Sequence, residues 1–242
     1  MYQAPMQPLR RSVGRSIGCL LALLLLFAGL GIGGYLFLSS SLITVAPQPR
    51  IVLNCSNDIT IVAGDSATTV KTARPLDALQ SHSYKPETNT LTFDACDSLS
   101  LEVPTSSNLK LDTNGSPITV IGVTGQLTIG NNGGSINLIN CNLVGQSTID
   151  NNGGPIRFNG TIAREGTYRL SANGGTIDIT LPSETPLSLD IPDLGNTLFV
   201  SDFPGIAVQN SNSGPTVHAR LGQAPYATLE VGSNDPVVLK RS

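Results

Sequence analysis

The chain has 242 residues, a formal net charge of −3, 13% charged residues, 25 Gly and no Trp. Charge at about half the usual share, with few aromatics, excludes a helical bundle and suits many short strands joined by turns. Arg10, Arg11 and Arg15 precede the first hydrophobic run, which leaves 11 basic against 17 acidic side chains and a net −6 for the rest, excluding a nucleic-acid-binding surface.

The first predicted element is Ile17–Leu38, 22 residues without a charge. At 1.5 Å per residue it spans about 33 Å, enough to cross a hydrocarbon core of about 30 Å. The run is longer than a secretory apolar region, and Ser39-Ser40-Ser41-Leu42 follows it, so it reads as an uncleaved signal-anchor. The three arginines before it place residues 1–16 in the cytoplasm and the rest of the chain outside. Gly29, Gly31 and Gly34 spell G-x-G-x-x-G by coincidence, because no strand precedes them. Cys19 precedes most of the apolar run, where a lipid-bearing cysteine would follow it.

Residues 39–50, with Pro47-Gln48-Pro49, read as an extended linker. Residues 51–107 read as an irregular β start that caps the body beyond it. Ile51–Leu53, Ile59–Val62, Thr90–Phe93 and Leu99–Val103 are strand-like, and the stretch between Lys71 and Glu87 is weaker. Cys55 and Cys96 are candidates for a disulfide, which an extracytoplasmic compartment permits; Cys141 is a third cysteine that burial alone would explain. No C-x-x-C pair supports zinc.

From residue 108 to 242 one corner recurs: Asn114-Gly115-Ser-Pro-Ile118, Asn132-Gly133-Gly134-Ser-Ile136, Asn152-Gly153-Gly154-Pro-Ile156 and Asn173-Gly174-Gly175-Thr-Ile177. Weaker copies end at Leu198, Val217 and Val237, so the apolar positions are spaced 18, 20, 21, 21, 19 and 20 residues apart. Two residues on, Val120, Leu138, Phe158, Ile179, Val200, Ala219 and Leu239 repeat the inward position, with a mostly polar residue between. A second alternating pair precedes each turn: Leu109/Leu111, Leu127/Ile129, Ser147/Ile149, Tyr168/Leu170 and Leu189/Ile191, with Ile206/Val208 and Leu229/Val231 slipped by a residue or two. Asn and Gly both tolerate the positive φ of a sharp corner. The pattern predicts an all-β, single-stack β-solenoid of about 20-residue rungs, seven in chain order and about 34 Å long.

Ala172-Asn-Gly-Gly-Thr-Ile-Asp-Ile-Thr-Leu-Pro182, Pro186-Leu-Ser-Leu-Asp190, Ser201-Asp-Phe-Pro204 and Asn234-Asp-Pro-Val-Val-Leu-Lys240 resemble the putative-adhesin β-solenoid domains of bacterial surface proteins. The resemblance covers roughly residues 90–242 and departs in using Asn-Gly-Gly where many relatives use Ser-Gly-Asp. It implies a surface, adhesin-like role and supplies no catalytic residue.

The residues themselves point to no catalysis, cofactor or metal. His82 and His218 are isolated in sequence, and His218 falls at an outward strand position. Asp94/Asp97 and Asp190/Asp193 read as turn acids more readily than as a glycosidase pair. Asp112-Thr-Asn114 and Asp150-Asn-Asn152 lack the spacing of a calcium loop. The expected function is a membrane-anchored, non-enzymatic module that binds a surface protein or glycan, with no nucleic-acid partner. A polysaccharide-acting β-helix enzyme is the alternative; it needs acids and bases with Arg or Lys on one rung face, and Arg157 and Asp178 share an outward column. An envelope sensor would work through a partner, because residues 1–16 are too few for an effector domain.

Overall fold

A computed structural model describes residues 42–242 except 56, 73–80, 97, 196 and 212–213. The expected signal-anchor Ile17–Leu38 and the cytoplasmic segment 1–16 lie outside the described residues. Among those described, no helix is long and apolar enough to cross a membrane.

The described chain is all-β and forms two 11-stranded mixed sheets, neither closed into a barrel. It passes from one sheet to the other at each Asn/Gly corner, so each turn of chain contributes a strand to both. Sheet I takes the strand after the corner, such as Ile118–Ile121 and Ile136–Leu143. Sheet II takes the strand before it, such as Asn108–Thr113 and Leu127–Asn131. Strands of successive rungs pair in parallel without slip across the inward columns: Ile118 faces Ile136, Ile136 faces Ile156, and Ile156 faces Ile177. In sheet II, Leu109 faces Leu127, Ile129 faces Ile149, and Ile149 faces Leu170. These columns form one core between the sheets, with Ile118, Ile136, Ile156 and Ile177 all at 0% exposure. Burying each such side chain stabilises by about 1.5–3 kcal/mol.

The stacking order departs from chain order at both ends. The eight rungs lie in the sequence 90–104, 50–64, 108–121, 127–143, 146–162, 167–181, 227–241 and 187–201. Rung 50–64 pairs with 108–121 on one side and with 90–104 on the other. Rung 227–241 sits likewise between 167–181 and 187–201. The chain skips a position at two short segments, 105–107 and 182–186, while the long connections 65–89 and 202–226 join rungs that are neighbours in space.

Four expectations are corrected by this arrangement. Residues 51–107 are more regular than expected: they hold two rungs in register with the rest, besides the antiparallel strands Thr69–Thr72 and His82–Lys85 that close that end. The presumed linker 39–50 contributes an edge strand, Leu42–Thr44, paired antiparallel with Thr69–Thr72; beyond it Val45 is buried, and the Ala46 amide donates to Tyr84 Oη at 3.0 Å. The column position given to Leu198 belongs to Phe199, which pairs with Val237; Leu198 and Val200 are 63% and 42% exposed. Gly214-Pro-Thr-Val217 does not open a rung. Ser211 faces Gly214 across a tight hairpin, and the strand Gly214–Leu221 runs antiparallel to both Val208–Ser211 and Leu187–Ile191. A glycine at φ 119° serves a hairpin turn as readily as a rung corner, so the motif alone does not separate the two.

Antiparallel strands close three of the four sheet ends, with His82–Lys85 on sheet II opposite the 208–221 hairpin. Sheet I ends on the three-residue strand Phe199–Ser201. Edge strands this short offer little backbone for pairing with another chain.

Candidate functional site

At the corners Asn, first Gly and second Gly do three separate jobs. Gly115, Gly133, Gly153 and Gly174 have φ of 96°, 138°, 120° and 99°. Gly134, Gly154 and Gly175 are required by proximity. A Cβ on Gly154 would lie 2.3 Å from the Gly134 carbonyl oxygen, and one on Gly134 would lie 2.1 Å from the Ser116 carbonyl. The asparagines are absent from the residues with positive φ, contrary to the reason expected for them. They form a side-chain ladder. Asn132 donates from Nδ2 to Asn114 Oδ1 at 3.1 Å, Asn152 to Asn132 at 3.0 Å, Asn173 to Asn152 at 3.0 Å and Asn234 to Asn173 at 2.8 Å. The last link joins residues 61 apart in sequence, because rung 227–241 is inserted there. A buried pair, Asn131 and Asn151, ties successive corners from inside, both donating to the Gly134 carbonyl.

Cys55 is disulfide-bonded, and the parallel register sets Cys96 opposite it. Cys141 is a buried free thiol whose pKa burial pushes up. Among the described residues no group of three or more His, Cys, Asp or Glu side chains is placed to hold a metal.

The suspected acid pairs do not converge. Asp94 accepts from Asn54 Nδ2 at 2.9 Å, and Asp97 lies outside the described residues. Asp193 accepts from the Gly195 amide at 2.7 Å as a turn acid. Arg157 and Asp178 meet at 3.8 Å on the outer face of sheet I as a ladder ion pair. His82 lies against Phe93 with ring centroids 5.5 Å apart.

Sheet II brings together a group that sequence spacing hides. Its outward residues Lys110, Thr128, Thr148, Arg169, Glu230, Asp190 and His218 form one column, each in register with the next across seven adjacent strands. Its last four members place a cation, two carboxylates and an imidazole on neighbouring strands, about 4.8 Å apart. His218 Nδ1 lies 2.7 Å from Asp190 Oδ1, an oxygen shielded from solvent that makes no other close polar contact. Arg169 and Glu230 are in none of the ion pairs of the described chain. Arg169, Glu230, Asp190, Pro192 and Gly232 line a cleft of about 240 Å³. A second cleft of about 250 Å³ opens near the other end of the column, lined by Arg50, Asn108, Lys110, Gln126 and Thr128. The sequence offers no direct sign of this group, since Glu230 meets Arg169 and Asp190 only through the inserted rung. The one available clue is the alternation of Leu229 and Val231, which turns Glu230 outward.

No family model matches the chain, and no curated protein matches it. Among solved structures, a putative cell adhesion protein from Clostridium sporogenes is similar over 85% of this chain and 100% of its own, at 7% identity and a TM-score of 0.48. A putative adhesin from Bacteroides fragilis is similar over 84% of this chain and 96% of its own, at 16% identity and a TM-score of 0.40.

Proposed function

We propose that the protein is a membrane-anchored β-solenoid whose body stands outside the cytoplasm and acts as a non-enzymatic, adhesin-like surface module. The observation that carries this reading is the outer face of sheet II, where a rigid parallel stack presents one ordered polar column with an open cleft near each end. Rigid spacing of polar groups on a hydrogen-bonded sheet is what recognition needs, and a stack of rungs provides it without loops. Two further features support the placement. Ile17–Leu38 is long enough to span a bilayer, with arginines on its N-terminal side only. A disulfide at Cys55, with Cys96 as its proposed partner, belongs to an oxidising compartment. Protease added to intact cells is expected to remove the body; full protection of the body would overturn the outward placement.

The enzyme alternative draws on Arg169, Glu230, Asp190 and His218, which meet its requirement for acids, a base and a cation on one face. Against it, the His218 and Asp190 side chains are 54% and 44% exposed, and the cleft that Asp190 lines is open and does not exclude water. Incubation with envelope polysaccharides decides between them: cleavage lost in Glu230→Gln and Asp190→Asn would replace the binding reading with the enzymatic one.

A further inference from the structure

We infer that the outward column of sheet II is the binding track for a linear polysaccharide, running from the Lys110 cleft to the Arg169–Glu230–Asp190 cleft. The inference rests on the surface-module reading and names its ligand class.

Glu230 and Asp190 face each other directly in register, and like charges so placed destabilise a sheet. Among the described residues neither Arg169 nor Glu230 is in an ion pair, so the fold does not use their charges on one another. Asp190 is met by His218, whereas Glu230 and Arg169 lie side by side in register without closing an ion pair, so these two are the charges left for a ligand to partner.

The donor and acceptor inventory selects the ligand. Ionised Glu230 and Asp190 only accept, Arg169 and Lys110 only donate, and Thr128 and Thr148 do both. Sugar hydroxyls donate and accept at every position, so a single ligand type satisfies the whole track. Nucleobases would need aromatic platforms, and the column has none. A globular protein partner would need an apolar centre to its interface, also missing from the column.

Geometry sets the length. Four strand steps separate Lys110 from Glu230, about 19 Å at about 4.8 Å per step. Thr128 and Thr148 fill the stretch between Lys110 and Arg169 and leave no bulky side chain across it. At the far cleft Gly232 opens the notch, for a Cβ there would come no nearer than 3.8 Å to any neighbour. A short sugar reaches one cleft; an extended chain reaches both.

The test uses the full chain in detergent micelles, titrated calorimetrically with cellohexaose, chitohexaose and a hexameric oligomannuronate. At least one hexamer binds, and the trimer of the same sugar binds at least tenfold more weakly. Arg169→Ala and Lys110→Ala each lower the hexamer affinity at least tenfold, whereas Arg157→Ala on the outer face of sheet I leaves it within twofold. All three side chains point outward, and the comparison of trimer with hexamer needs no variant. Binding of none of the three hexamers at millimolar concentration overturns the inference. So does equal affinity for trimer and hexamer, or an equal loss in Arg157→Ala. Crosslinking on intact cells separates this failure from that of the parent reading: a chain joined to an envelope protein yet blind to all three sugars loses the polysaccharide track and keeps the surface role.

Discussion

Gly153 and Gly154 are neighbours with different reasons to be glycine, and substitution separates them. Gly153→Ala places a Cβ at φ 120° with room around it, costing about 1–2 kcal/mol of backbone strain. Gly154→Ala drives a Cβ into the Gly134 carbonyl, and a rigid backbone neighbour cannot give way; it is expected to cost about 3 kcal/mol or more. Urea unfolding of both variants checks the order, and a milder Gly154→Ala would refute the close-approach account. The buried hydroxyl of Tyr168 and thiol of Cys141 make a second residue-scale prediction. Desolvation raises both pKa values, so the folded state holds these protons more tightly than the unfolded chain. The stabilisation is present below the unfolded values, about 8.5 for Cys and about 10 for Tyr, and is lost as pH rises through the folded ones. Stability measured from pH 8 to 11 should therefore fall, less steeply in Cys141→Ala. Native Cys141 should resist iodoacetamide until the chain is unfolded.

Within a rung, the inward pair does most of the stabilising. Phe158 stands between Leu138 and Ile179 at 2% exposure, and Phe158→Ala is expected to cost about 3–5 kcal/mol. At this scale the inserted rungs also invert the usual behaviour of a repeat array. In a simple stack the last unit in sequence is the last in space and frays first. Here rung 227–241 is hydrogen-bonded along both edges of both sheets. Its amides should exchange as slowly as those of 146–162, and more slowly than those of 208–211 at the edge. Hydrogen exchange read by mass spectrometry tests this, with fast exchange across 227–241 counting against the insertion. Removing residues 227–242 should destabilise the body, since the cut strips an internal layer and leaves rung 187–201 without its parallel neighbour.

For the whole molecule, the Cys55–Cys96 link proposed above would tie rung 50–64 to the terminal rung 90–104. Closing a loop of this length stabilises by about 4 kcal/mol in the chain-entropy account. Cys96→Ser and treatment with reductant are expected to lower the melting temperature by equal amounts, and reductant should then have no effect on the variant. An unchanged melting temperature in Cys96→Ser would remove the pairing. Both outermost rungs, 90–104 and 187–201, are internal in sequence.

The strands, their inward faces and the corner glycines were legible in the residues, because side-chain alternation and positive φ are local properties. Ile118 through Ile177 and Leu109 through Leu170 stack as the alternation predicts. The Asn ladder was half legible: the repeated Asn was visible, but its hydrogen bonds exist only once rungs are stacked. Which rung neighbours which was not legible at all, for 50–64, 90–104 and 227–241 carry the same alternation, and equal patterns fit any register-matched slot. That choice is made where the chain skips a slot, at 105–107 and 182–186, and returns through 65–89 and 202–226, whose antiparallel strands read in sequence as noise or as false repeats. The charged column followed from the same choice. Glu230 becomes a neighbour of Arg169 and Asp190 only when the last stretch of chain enters the stack ahead of an earlier one. Periodicity thus determined what each residue faces within its own strand, and tertiary pairing alone decided what lies beside it.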